Sequence, residues 1–162
     1  MDEGQALIRK HFLHPCMIFA HPREHWVATL LGSCVAVCLW DPTLGLGGMN
    51  HYMLPLWNGE GLPTPRYGNI AIEKLIQKMV ALGADPRRLL GRIYGGAMVL
   101  GTDMGRFRVG GRNITVAQEL LATHRIPILE TEVGGEQGRR VQFNTCTGEV
   151  TVQRMKQQGR AT

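Results

Sequence analysis

Two side chains in this sequence have the types and spacing of a thiol–imidazole pair. Cys34 follows Gly32-Ser33, and His51 lies 17 positions further on, after Gly47-Gly-Met-Asn50. A thiol beside an imidazole forms a thiolate more easily, and the thiolate is the nucleophile toward carbonyl carbon. A glycine just before it lets backbone come close to a ligand. Amide N–H groups can then converge where an oxyanion develops. The chemistry implied is acyl transfer, with Cys34 as nucleophile and His51 as base. Gly32, Ser33 and Asn50 are the candidates for holding the oxyanion and positioning the substrate.

Plainer readings stand beside this one. A cysteine in an apolar run is usually a small core residue, and Cys38 and Cys146 are read that way. His11, His14, His21, His25 and His124 are read as core or surface residues. A metal centre built from Cys34, Cys38, His51 and Cys146 is the rival chemistry. Structural zinc favours tight C-x₂₋₄-C turns, however, and here the spacer is an apolar strand. Neither Gly95-Gly96 nor Gly110-Gly111 belongs to a phosphate-cradling loop of recognised pattern. Spacing alone leaves the nucleophilic and core readings of Cys34 both open.

The elements that must position these residues are legible as apolar periods. Met17–Ala20, Val27–Leu31 and Val35–Trp40 read as strands, the last closed by Asp41-Pro42. Gly45–Gly48 reads as a glycine-rich hairpin connection and Met49–Leu54 as the returning strand, so Cys34 and His51 fall on partner strands. Ile72, Leu75, Ile76, Met79 and Val80 make one helical stripe. Gly83 then supplies a C-terminal stop and Asp85-Pro86 a block. Arg92–Leu100 includes a strand. A second helix is expected from about Asn113 to His124, with Asn113 as N-cap or Thr115-x-x-Gln118 as a capping box. Ile128–Val133 is a strand, and Val141–Thr145 with Val150–Arg154 form a hairpin. The expected fold class is α/β or α+β. It is a single-domain layered sandwich with a mixed or largely antiparallel sheet covered by two main helices. Residues 1–15 read as a flexible start, 16–155 as the domain and 156–162 as a loose polar tail.

Composition narrows the function class. The 162 residues are 44% hydrophobic and 19% charged, which is ordinary for a globular chain. The longest apolar run, Val35–Trp40, is far short of the roughly 20 residues a spanning helix needs, so no membrane insertion is expected. Asp2 and Glu3 near the start, with no apolar segment behind them, argue against a secretory leader. A cytoplasmic placement follows, in which four cysteines are free thiols. The net charge is +5, which suits acidic partners. Lys/Arg runs never exceed two residues, so nucleic acid is not an expected partner.

At the residues of the thiol–imidazole pair the sequence resembles the chemoreceptor glutamine deamidase family, CheD. The matching pieces begin with Thr29-Leu-Leu-Gly-Ser-Cys34-Val-Ala-Val-Cys-Leu-Trp-Asp41-Pro42 and Gly48-Met-Asn-His51-Tyr-Met-Leu-Pro55. Tyr94-Gly-Gly-Ala97, Gly110-Gly-Arg-Asn113, Gly134-Gly-Glu-Gln-Gly-Arg-Arg140 and Thr147-Gly-Glu-Val150 follow in order. The resemblance runs from about residue 15 to 155. It implies a deamidase that converts receptor glutamines to glutamates, with Cys34 as nucleophile, His51 as base and Thr29 as a polar helper. It implies no metal or cofactor. The implied fold is an α/β sandwich similar to the catalytic domain of cytotoxic necrotizing factor toxins. The implied partners are the cytoplasmic helices of methyl-accepting receptors and a CheC-type phosphatase. The alternative implied by the same resemblance is a module that regulates such a phosphatase with weak or no catalysis.

Overall fold

The computed structural model describes residues 7–98 and 104–156. In chain order these form β1 (Arg9–Phe12), β2 (Ile18–Ala20), β3 (His25–Leu31), β4 (Val35–Asp41), β5 (Leu46–Asn50) and α1 (Gly68–Ala81). After them come β6 (Leu90–Gly95), α2 (Met104–Thr123), β7 (Ile128–Val133), β8 (Arg139–Asn144) and β9 (Val150–Arg154). The outer parts of the expected flexible start (1–6) and tail (157–162), and the last two residues of the strand expected over Arg92–Leu100, lie outside the described residues.

The strands form two sheets, ordered β1-β3-β8-β9 and β2-β5-β4-β6-β7. The expectation of an α/β sandwich with two main helices holds. The sheet, however, is doubled, and the helices cover one face of the second sheet only. Burial along the strands shows why. In β3, His25, Val27, Thr29 and Leu31 are buried while their neighbours are more open, the period of a strand with one covered face. β4 is buried almost throughout, which requires a layer on each side. Its Val35, Val37 and Leu39 pack with Ile72, Leu75 and Met79 of α1 and Ala117 and Leu121 of α2. Its Ala36 and Cys38 face the other way, against Val27, Leu31, Val141 and Phe143 of the first sheet. The layers are therefore helices, five-stranded sheet, four-stranded sheet.

Several boundaries differ from expectation for identifiable reasons. Arg9–Phe12, inside the stretch expected to be flexible, pairs in parallel with His25–Ala28. All four residues of this edge strand are exposed, so no apolar period marks it. β5 starts at Leu46, within the expected hairpin connection, because its glycines are close-packed. A Cβ on Gly47 would lie 2.7 Å from Phe143, and one on Gly48 2.9 Å from Ala20 and Leu75. Val80, counted in the apolar stripe of α1, is 40% exposed. α1 ends as expected: Gly83 has φ +111, its N–H bonds to the Val80 carbonyl, and the Ala84 N–H bonds to that of Met79, a Schellman closure.

The second helix is the largest correction. It begins at Met104 and runs straight through Gly110-Gly111, so Asn113 is an interior residue and not an N-cap. Two adjacent glycines argue against a helix by propensity, but Gly110 is needed for close approach. A Cβ there would stand 2.7 Å from the Gly96 carbonyl oxygen and 2.9 Å from that of Ala97, whereas one on Gly111 would meet nothing within 4 Å. Gly110→Ala should therefore overpack the contact, destabilising by about 1–3 kcal/mol. Gly111→Ala should stabilise by about 1 kcal/mol through helix propensity. Thermal denaturation of the two variants is expected to move Tm in opposite directions. A shared direction would refute this account of the pair.

Candidate active site

The β4–β5 hairpin puts Cys34 and His51 on one face of neighbouring strand ends. Its ladder runs from Asp41↔Leu46 to Cys38↔Met49, and the same register reappears at the bridge Val35↔Tyr52. There the two residues exchange backbone bonds of 3.1 and 3.0 Å. Val35 and Tyr52 point toward the helices. Cys34 and His51, one residue before each, therefore share the opposite face as diagonal neighbours, a relation that spans about 7–8 Å between Cα atoms and less between side chains. That face looks into the layer between the sheets.

Thr29 arrives from the other sheet. It is fully buried on the inward face of β3, and its Oγ1 lies 2.7 Å from His51 Nδ1. The same hydroxyl donates to the Leu13 carbonyl at 2.7 Å. A hydroxyl has one proton, and here the carbonyl takes it. Thr29 must then accept from His51, which places a proton on Nδ1 and leaves Nε2 with its lone pair. That Nε2 is buried and has no partner among the described residues. The backbone of His51 is held as well, because its carbonyl accepts from the Cys16 N–H at 2.8 Å. Cys16 itself adopts φ +69, in a turn closed by Met17 N–H on the His14 carbonyl at 3.3 Å.

Burial sets the protonation state against the sequence expectation of an easily formed thiolate. It pushes the Cys34 thiol up to about 11, with nearby Cys16 adding to the effect and the Cys34 amide opposing it. Burial likewise pushes the His51 imidazole down to about 4. The resting pair is thus a neutral thiol and a neutral imidazole near pH 7.

The loop before Cys34 is held through its carbonyls. The carbonyls of Gly32, Ser33 and Cys34 are bonded by Ala97 N–H at 2.9 Å, Asn113 Nδ2 at 3.0 Å and Gly96 N–H at 2.8 Å respectively. The N–H groups of Ser33 and Cys34 meet no carbonyl or side-chain acceptor outside their own residues among the described ones. Both residues are only half-buried. Gly95 is required beneath them: it has φ +103, and a Cβ there would collide with the Cys34 carbonyl.

The other sequence candidates divide cleanly. Gly32 and Ser33 lie directly before Cys34. Asn50 points away: strand alternation turns it to the face opposite His51, and its Oδ1 accepts from the Val37 N–H at 2.8 Å. The rival metal set is not assembled. Among the described residues no group of three or more His, Cys, Asp or Glu could hold an ion. Cys38 is a fully buried core thiol raised by that burial, and the Cys146 carbonyl accepts from Trp40 Nε1. His124 bonds Glu73 of α1 at 2.6 Å. Asn113, expected from the sequence as a helix N-cap, instead lies inside α2 with its side-chain amide donating to the Ser33 and Met53 carbonyls.

Residues 53–154 match the family model described as CheD chemotactic sensory transduction. The matched stretch begins just after His51. Whole-chain similarities reach further. A protein of Trichlorobacter lovleyi, named as a probable chemoreceptor glutamine deamidase CheD, is 48% identical over 157 residues, covering 97% of this chain and 98% of that one. One of Sulfurimonas denitrificans with the same name is 42% identical over 142 residues, covering 87% and 91%. Among solved structures, the Bacillus licheniformis hypothetical protein YfiH aligns over 66% of this chain and 46% of that one. Its TM-score is 0.38, with 17% sequence identity.

Proposed function

The chain belongs to the CheD family, and from that premise we propose that it is a chemoreceptor glutamine deamidase whose nucleophile is Cys34 and whose base is His51. It hydrolyses the side-chain amide of receptor glutamines to glutamate and ammonia. The observation that carries the site assignment is the chain from the Leu13 carbonyl through Thr29 to His51. It holds the imidazole in one tautomer with Nε2 free on the face it shares with the thiol.

The reaction follows from that arrangement. His51 Nε2 takes the Cys34 proton as sulfur bonds to the carboxamide carbon. The carbonyl electron pair moves to oxygen, which the Ser33 and Cys34 amides stabilise. The imidazolium then protonates the departing nitrogen, the C–N bond breaks, and ammonia leaves a thioester. Water, deprotonated by the same Nε2, attacks the thioester, and the thiol departs with the proton back on sulfur. Thr29 accepts from Nδ1–H throughout, so the imidazole does not rotate while it carries charge.

The receptor segment supplies the substrate, and the net charge of +5 suits a glutamate-rich one. Such receptor regions face the cytoplasm, which is where this chain would act. No helix among the described residues is long and apolar enough to cross a membrane. A CheC-type phosphatase is a candidate partner on the family resemblance. A purely regulatory module would have no use for a buried imidazole that lacks an Nε2 partner among the described residues and shares a face with a half-exposed thiol. Incubation with receptor cytoplasmic fragments should release ammonia and convert named glutamines to glutamates, read by peptide mass spectrometry. Receptor peptides of unchanged mass would overturn the assignment.

A further inference from the structure

Three successive carbonyls before and at the nucleophile are tied down, and two of the ties come from backbone amides of Gly96 and Ala97. The third comes from a side chain: Asn113 Nδ2 donates to the Ser33 carbonyl at 3.0 Å. Its other proton goes to the Met53 carbonyl, also at 3.0 Å. A trans peptide is planar, so the carbonyl of one residue and the N–H of the next point in opposite directions. Pulling the Ser33 carbonyl toward α2 therefore turns the Cys34 N–H away from α2, to the thiol side. The same clamp bridges the two strand ends that carry Cys34 and His51, since Ser33 precedes one and Met53 follows the other.

We propose that Asn113 is a positioning residue that aims the Cys34 amide as an oxyanion donor and sets the span between the two halves of the dyad. The inference rests on Cys34 being the nucleophile. Three further observations support it. Asn113 is fully buried. Its amide orientation is decided, because the flipped form would set Oδ1 against two carbonyl oxygens. And among the described residues Oδ1 is buried without a partner, a penalty that a residue kept only for packing would not carry. The glycines of α2 acquire a purpose in this light. Gly110 lets the helix settle onto the Gly96 and Ala97 carbonyls, and Asn113, three residues on, lies on the same side of the helix. The Asn113 backbone carbonyl also accepts from Tyr52 Oη at 2.6 Å. That contact links the same elements without involving Nδ2, which provides a packing control.

The test compares Asn113→Ala with Tyr52→Phe, measuring kcat and KM on a receptor fragment, the rate of Cys34 alkylation by iodoacetamide, and Tm. Alkylation displaces iodide and develops no oxyanion, so it reports the thiol alone. Asn113→Ala is expected to lower kcat by about 10²–10³, the worth of one oxyanion donor, with KM and alkylation rate unchanged. Tyr52→Phe should keep kcat within a few-fold even where Tm falls. Should the alanine variant fail to fold, Asn113→Ser retains one donor on a shorter stem and is expected to lose kcat by a smaller factor, again without loss of alkylation. The proposal is overturned if the folded variant keeps near-full kcat, if alkylation falls in step with kcat, or if Tyr52→Phe loses as much. These outcomes leave an active wild type and an inactive Cys34→Ala. An active Cys34→Ala, or a wild type that converts no glutamine, instead defeats the deamidase assignment on which the proposal rests.

Discussion

Cys34→Ala is expected to abolish ammonia release, lowering kcat/KM on the order of 10⁴–10⁶, as loss of a covalent nucleophile does elsewhere. The fold should survive, because Cys34 is only half-buried and alanine is smaller. The informative comparison lies with the other thiols. Cys38 points into the same interlayer but is 1% exposed, between the strand pairings to Met49 and Arg92. Cys38→Ala should therefore cost some stability and leave the chemistry alone. Cys16→Ala should also remain active, since its contribution to His51 is a backbone N–H that alanine retains. Steady-state deamidation with Tm for all three variants separates these roles. A dead Cys38 variant beside an active Cys34 variant would reverse the assignment.

His51→Ala should lower the acylation rate by roughly 10²–10⁴, the usual worth of a positioned acid–base group. Thr29→Val, which removes the acceptor of Nδ1–H and little else, should lower it by about 10–100-fold, as loss of a histidine's outer partner commonly does. The pH dependence follows from burial. His51 is a base only when unprotonated, and burial pushes it down to about 4. Activity should thus be lost as pH falls through about 4 and hold a plateau above it, well past neutrality. Cys34, pushed up to about 11, should alkylate at a rate that climbs by about tenfold per pH unit with the thiolate fraction. There should be no shoulder near pH 6, and His51→Ala should show the same alkylation profile. An early plateau in the wild type that disappears in His51→Ala would instead reveal a preformed thiolate–imidazolium pair.

How much of this was legible beforehand depended on the range of the interaction. Cys34 and His51 were visible because one hairpin joins them, and a strand period with a turn between is a local signal. Two buried positions on adjacent strands must fall in register when each face is covered, so the pairing of Val35 with Tyr52 follows from the alternation. The shared face of the proposed nucleophile and base was thereby within reach of sequence reasoning, and so were most strands and the Schellman end of α1. Thr29 could be named only through family resemblance, since nothing local ties β3 to His51.

What the sequence alone could not settle lies between layers. The split into two sheets is decided by which faces of β4 and β5 are covered, and both cover layers come from distant segments. Burial raises the Cys34 thiol and lowers the His51 imidazole, against the local expectation, because burial is a property of the packed whole. The course of α2 through Gly110-Gly111 opposes intrinsic propensity, and Gly110 is needed because a Cβ there would stand 2.7 Å from a carbonyl oxygen 14 residues earlier. Asn113 therefore looked like a helix start and proved to be a clamp. A residue's chemistry can be read from its type, but its direction is fixed by the partners that tertiary packing brings to it.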